Sequence, residues 1–238
     1  MVIVLEKTNT MKLAKNQHTE ISQNDILLMS KFVVTENFNH HSNEILPGHY
    51  QNDIDAVYKE EMGFLENSKI FAFKNDLGDL VGTIRVLKWD FITPLPIQKM
   101  FGINPFICAE GNAINEIWHI GRFAIKKGVR DVNLLKKLLV CAIAPVCQHK
   151  DNMAFAEIDA KLLRVLTLMG IKAKVVGKSI EYLGSETIPV SMSYAGLIDF
   201  YNENKDLVTP EDFELSTPNS KLPNKVVFDA NKLNYTLV

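Results

Sequence analysis

Residues 70–74 (IFAFK) form a short apolar run, 81–87 (VGTIRVL) alternate around Arg85, and a stretch rich in Asn, Asp and Gly at 75–79 separates the two. Two such runs around such a stretch predict a β-hairpin with a tight turn. Alternation returns at 118–125 (WHIGRFAI) and runs through a basic loop, KKGVR, into a segment with a different period. There Leu135, Leu138, Leu139, Ala142, Ile143 and Val146 recur every three or four positions, which predicts an amphipathic helix over 133–146 with that stripe in the core. Further on, 152–159 predicts a short buried strand, 160–170 a helix closed by Gly170, and 172–184 and 188–197 another pair of strands. The order is hairpin, long connection, strand, basic turn, helix, strand, helix, hairpin. That is an α/β chain, α+β by element order.

The connection at 89–115 is long for a loop and rich in Phe, Ile, Leu and Met. Two readings stand. Phe91, Ile97, Met100, Phe101, Ile103 and Phe106 either line a channel for a long apolar ligand or pack as ordinary core around a helix at 96–101. The chain has 238 residues, 47% hydrophobic and 23% charged, enough for a full core. We expect one domain over 1–201, its core at 69–201, and a surface arm over 202–238, where Val226–Phe228 is the only strand-like piece. A net charge of −2 gives no global attraction to nucleic acid. No apolar run is long enough to span a membrane and no signal peptide is evident. Three cysteines at no metal or disulfide spacing suggest a reducing, cytoplasmic setting. His40 and His41 have no acid at ligand spacing, so no metal site is expected.

A helix N-terminus presents unpaired N–H groups and a partial positive charge, so the junction at 126–133 suits a phosphate. Lys126, Lys127 and Arg130 add formal charge there. With Lys136 and Lys137 they form a basic cluster, read either as a solvated face or as a docking patch for an acidic partner.

The element order, together with VGTIRVL at 81–87, HIGRFAI at 119–125 and YLGSETIPVSM at 182–192, resembles the GCN5-related N-acyltransferase (GNAT) superfamily. Within it the resemblance is to the branch of long-chain N-acyl amino acid synthases and acyl-homoserine-lactone synthases. Arg85 falls where that branch carries a strand arginine. Arg122-Phe123-Ala124 matches its E-x-x-R-F/L-A/V-V signature. The resemblance implies a mixed, mostly antiparallel sheet flanked by helices, and direct transfer of an acyl group from a thioester to an amine. It implies no tightly bound cofactor: the co-substrate is acyl-carrier-protein phosphopantetheine or acyl-CoA, and the partners are an acyl carrier protein and a small amine such as an amino acid. The sequence departs from the pattern in two motifs. The pyrophosphate motif R/Q-x-x-G-x-G/A falls on residues 130–135, with Asn133 and Leu135 where small residues belong, which favours a carrier-presented donor. The signature glutamate is His119, with Glu116 three residues earlier.

Amide formation from a thioester needs a neutral amine and a place for the oxyanion. On the resemblance, the main chain at Phe123, Ala124 and Ile125, with Lys126, Lys127, Arg130 and Asn133, meets the donor. His119 or Glu116 is then the base, with His119 equally readable as a structural strand histidine. Arg85 and Arg122 are candidates to grip an acceptor carboxylate, or else strand arginines paired with acids such as Glu116 or Glu157. Strict alternation puts Trp118, Ile120 and Arg122 on one face of the strand and His119, Gly121 and Phe123 on the other. Tyr182 and Tyr194 read as strand tyrosines, and Leu166 stands where the superfamily often has an acid tyrosine. The rival readings are a conventional acetyl-CoA-dependent acetyltransferase and a non-catalytic acyl-thioester or lipid-binding protein. Homoserine-lactone synthesis is disfavoured, because residues 32–50 lack the Arg and Trp pattern of those synthases.

Overall fold

The computed structural model describes residues 23–41, 46–75, 77–109 and 113–208. The predicted hairpin is present as β1 (Ser68–Lys74) and β2 (Leu80–Lys88), paired antiparallel. Its turn is closed by Asn75, whose side-chain oxygen accepts from the N–H groups of Leu77 and Asp79. The connection that follows contains α3 (Pro96–Phe101) and α4 (Pro105–Cys108). Proline at the first position starts both helices, where its missing N–H costs nothing.

Next come β3 (Ile117–Ile125), α5 (Val132–Ile143), β4 (Met153–Asp159) and α6 (Ala160–Leu168), each where the periodicity placed it. Gly170 takes φ 82° just beyond α6, a left-handed conformation that favours glycine. Residues 172–184 differ from expectation: they form two short strands, β5 (Lys174–Val175) and β6 (Ile180–Tyr182), both against β7 (Ser185–Ser193). The second strand of that pair also ends early. Ser193 caps the Gly196 N–H and Tyr194 opens α7 (Tyr194–Asn204). Among the described residues two α-helices precede β1, α1 (Gln23–His41) and α2 (Tyr50–Met62). Residues 226–228 and most of the expected arm lie outside the described residues. Among the described residues no helix is long and apolar enough to cross a membrane.

The sheet order is β1-β2-β3-β4-β7-β5, with β6 also on β7. Every pairing is antiparallel except β3 with β4. That parallel ladder is short, joining Ile117–Ile120 to Met153–Ala156. Beyond it β3 stays with β2 as far as Gly82 opposite Ile125, while β4 stays with β7 as far as Asp159 opposite Thr187. The two central strands therefore part into a fork, and parting leaves main-chain groups without a strand partner.

The sheet has two unlike faces. On one, Val81, Ile84, Val86, Trp118, Ile120, Ala154, Ala156 and Ile158 pack against α5 and α7 in the main apolar cluster. Contact is close enough that a Cβ on Gly82 would lie 3.0 Å from Leu138 Cδ1. The other face is covered by α1, α2 and α3 and carries Arg85, His119 and Glu157. Ile97, wholly buried, joins Leu87, Ile117 and Phe155 there, and Phe91 stacks on Phe106 beside Trp89.

Candidate functional site

At the apex of the fork a chain of polar and charged side chains crosses from β4 to α2. Glu157 of β4 is the first residue beyond the parallel ladder, and its two carboxylate oxygens lie 3.0 and 2.9 Å from His119 Nε2. His119 Nδ1 is 2.7 Å from Arg85 Nη2. Arg85 Nη1 lies 3.3 Å from Glu61 Oε1, and the same carboxylate accepts from Arg122 Nε at 2.8 Å. Arg122 also pairs with Glu60, which pairs with Lys99 of α3 at 3.5 Å. Glu61 is 0% exposed, and Arg85 and His119 are each 1% exposed. The chain of contacts joins three strands to two helices.

Gly121 makes the link between Arg85 and His119 sterically possible. It sits opposite Arg85 in the β2–β3 register, and a Cβ there would lie 2.9 Å from Arg85 Nη2 and 3.1 Å from His119 Cε1. The guanidinium passes over the bare glycine to reach the imidazole. Arg122 departs from strict alternation. It takes φ 53° opposite a register shift between Thr83 and Arg85, and the Thr83 hydroxyl donates to its carbonyl. This is a β-bulge, and a non-glycine residue in that region costs about 1–3 kcal/mol. The bulge swings Arg122 onto the face of Arg85, away from Trp118 and Ile120, and turns Phe123 toward the apolar cluster. The alternation expected for β3 thus holds from Trp118 to Gly121 and inverts afterwards.

A guanidinium only donates, so His119 Nδ1 must accept and Nε2 must carry the proton that goes to Glu157. Burial pushes Arg85 below its ordinary pKa, opposed by Glu61 and reinforced by Arg122, yet an arginine stays charged. Burial alone would also lower Arg122, but Glu61 and Glu60 outweigh it and raise it. Glu60 is the converse case: burial would raise its carboxyl, and Arg122, Arg85 and Lys99 hold it below the usual range. Tyr182 leans on Arg122, with burial raising its phenol.

The remaining expected site residues are placed as follows. Glu116, at the start of β3, is held by Lys88 at 2.5 Å and by the Trp118 indole at 3.1 Å. Ala124 is buried against Met29 and Val33 of α1, and Ile125 packs on the apolar cluster. Lys126 lies 3.9 Å from Asp79, Lys127 Nζ donates to the Asn39 carbonyl, and Arg130 is exposed. The N-terminus of α5 is capped by Asp131, whose carboxylate accepts from Asn133 N at 2.8 Å and Leu134 N at 3.2 Å. One turn away, Glu36 of α1 accepts from Lys127 N at 2.6 Å. The last turn of α1 also joins the prongs of the fork: His40 bonds the Ile125 carbonyl at 2.9 Å and His41 lies 3.3 Å from Asp159.

Sequence reading missed Glu60 and Glu61 as members of this cluster. The signal was present: Ile54, Val57 and Glu61 fall at i, i+3 and i+7, so a glutamate continues the buried stripe of α2. Glu157 was read only as a possible partner for an arginine.

No protein-family model and no curated protein matches the sequence. Among solved structures the chain is similar to FeeM, an N-acyl amino acid synthase from uncultured soil microbes. That likeness has 14% identity, covers 72% of this chain and 92% of that one, and has a TM-score of 0.52. It is also similar to TofI in a ternary complex with an inhibitor and MTA, at 12% identity over 83% of this chain and 98% of that one, with a TM-score of 0.51. The likeness is one of fold. The GNAT fold expected from residues 81–87, 119–125 and 182–192 is the fold observed.

Proposed function

We propose that this chain is an N-acyltransferase that moves a long-chain acyl group from a carrier-protein thioester to the amine of a small acceptor such as an amino acid. The observation that carries the reading is the fork between β3 and β4 with a hydrogen-bonded Glu157–His119–Arg85 chain at its apex. A thioester arm lying between the prongs brings its carbonyl to main-chain N–H groups in the stretch Phe123–Ile125. Such donors stabilise the oxyanion as the amine attacks. FeeM, whose fold is similar, is an N-acyl amino acid synthase, which adds an analogy of fold.

Two carboxylates favour a carrier over coenzyme A. Asp131 already occupies the first free amides of α5, and Glu36 takes the Lys127 N–H, so a pyrophosphate there meets negative charge and filled donors. Lys126, Arg130 and Lys137 then serve an acidic carrier protein at the surface beside the arm. The apolar connection around α3 and α4 bounds the acyl chain, with Phe91, Met100, Phe101, Ile103 and Phe106 partly buried there.

The test is direct. Lipids from expressing cells, analysed by mass spectrometry, should contain a new long-chain N-acyl amide. The purified chain should release thiol from a long-chain acyl-carrier thioester with a kcat/KM well above that for acetyl-CoA. A higher value for acetyl-CoA would favour a conventional acetyltransferase.

A further inference from the structure

The fork apex holds one acidic group, Glu157, to which the acyltransferase reading as stated gives no chemical step. We propose that Glu157 binds the acceptor amine and removes its proton, with His119 and Arg85 as positioning residues behind it. The inference rests on the acyltransferase reading and names its acceptor-side residue.

Three observations converge on Glu157. It stands at the point where β3 and β4 separate, which is where an arm lying between the prongs would end. It is the outermost member of a directed hydrogen-bond chain. Arg85 donates to His119 Nδ1, which leaves the Nε2–H to point at Glu157. Glu157 also retains 10% side-chain exposure, while His119 and Arg85 retain 1% each, so of the three only Glu157 has surface to offer a ligand. One shared proton from His119 leaves lone pairs on both carboxylate oxygens free to accept an amine N–H.

Charge points the same way. Glu157, Glu61 and Glu60 meet Arg85, Arg122 and Lys99, but all three cations pair with Glu61 or Glu60, whereas Glu157 meets the imidazole of His119. Lys99 touches this group only at its exposed rim. An ammonium that donates to Glu157 pairs this carboxylate with a cation, and it gives its extra proton to solvent before the reaction. In the reaction the neutral amine attacks the thioester carbonyl carbon, forming C–N, and Glu157 takes the proton from nitrogen. The C–S bond then breaks, and the thiolate recovers that proton from Glu157. The products are an amide and a thiol, with the carboxylate regenerated.

Isoamylamine, a primary amine without a carboxylate, is the probe. Calorimetry on the full chain should show binding that Glu157→Gln weakens at least about tenfold and Glu157→Asp partly restores. With a long-chain acyl-carrier thioester, kcat in Glu157→Gln should fall roughly 100-fold while KM for the donor stays unchanged. His119→Gln, which keeps an N–H donor, should retain more activity than His119→Ala, again with donor KM unchanged. No binding of isoamylamine to wild type, or equal binding to folded Glu157→Gln, overturns the proposal. Glu157-dependent amine binding without thiol release from any acyl donor would uphold the amine site and reject the acyltransferase reading.

Discussion

The two faces of the central sheet are both buried, but they are buried for different reasons. On the α5 and α7 face, Leu138, Val140, Ile143, Ala154 and Val190 lose essentially all contact with water and satisfy no polar group. Stabilisation there comes from apolar area removed from water, at roughly 25 cal/mol per Å². On the α1 and α2 face, Glu61, Arg85 and His119 are as deeply buried. Their pairing offsets a desolvation penalty without exceeding it reliably, so a buried ion cluster is weak support for stability. The first face explains why the chain folds. The second has to be explained by what it holds in place.

The contrast breaks most sharply at Glu61. Glu61→Ala leaves two guanidiniums buried against each other, and stability is expected to fall by about 3–5 kcal/mol. Leu138→Ala on the opposite face should cost a similar ~2–5 kcal/mol through a cavity. Urea denaturation measures both. Activity separates them: Leu138→Ala, where still folded, should keep kcat, and Glu61→Ala should not. Equal retention of kcat would make the charged face as purely structural as the dry one.

A smaller effect probes the geometry between the strands. Gly121→Ala puts a Cβ against Arg85 Nη2 and the His119 ring, and overpacking of this kind costs ~1–3 kcal/mol. Breaking the Arg85–His119 contact also frees the imidazole tautomer. A loss of kcat out of proportion to the fall in stability, read from kinetics and melting on the same sample, is the expected outcome. Proportionate losses would argue against a directed chain.

These differences also account for what the sequence made legible. The hairpin, β3, α5, β4 and α6 follow from hydrophobic period and end signals, because one face of each meets an apolar layer. The 194–197 stretch misled because the Ser193 cap, not hydrophobicity, starts α7. The charged face was legible by residue and not by partner. Arg85, Arg122 and His119 stood out, but the partnership of the two arginines with Glu60 and Glu61 depends on α2 reaching across from 61 and 62 residues upstream in the chain for Arg122. The bulge at Arg122 was beyond reach for another reason. Only Gly and Asn advertise a positive φ, and an arginine there is held by Glu60, Glu61 and the Thr83 hydroxyl. The reading of Arg85 as a grip for an acceptor carboxylate rested on guanidinium chemistry and on the resemblance, and both are silent about what covers a face.

Acid should sharpen the comparison with a more modest effect. Arg122, Arg85 and Lys99 hold Glu60 below the ordinary carboxylate range despite its burial. Its contribution is therefore present above the unfolded-state pKa and lost as pH falls through the lower folded value. Between about pH 6 and pH 3, wild type should lose more stability than Glu60→Gln. The dry face carries no such term, so Leu138→Ala should track wild type across the same range. Parallel curves for wild type and Glu60→Gln would show that Glu60 contributes no pH-linked stability.

The smallest effect lies at the rim where the faces meet, at the N-terminus of α5. Asp131 caps that helix with its carboxylate, and Ser is about as good a cap as Asp, so Asp131→Ser should change stability by only a few tenths of a kcal/mol. It removes a negative charge from the place a pyrophosphate would need, while Lys126, Lys127 and Arg130 remain. If the carboxylate is what turns coenzyme A away, Asp131→Ser should bind it measurably more tightly than wild type in calorimetry. The gain should shrink with added salt, because it is electrostatic. Adding Glu36→Gln should extend the gain, since Glu36 holds the neighbouring Lys127 N–H. Coenzyme A affinity that is already high in wild type, and unchanged in both variants, would remove the argument for a carrier-presented donor. It would still leave the fork and the amine site at its apex intact.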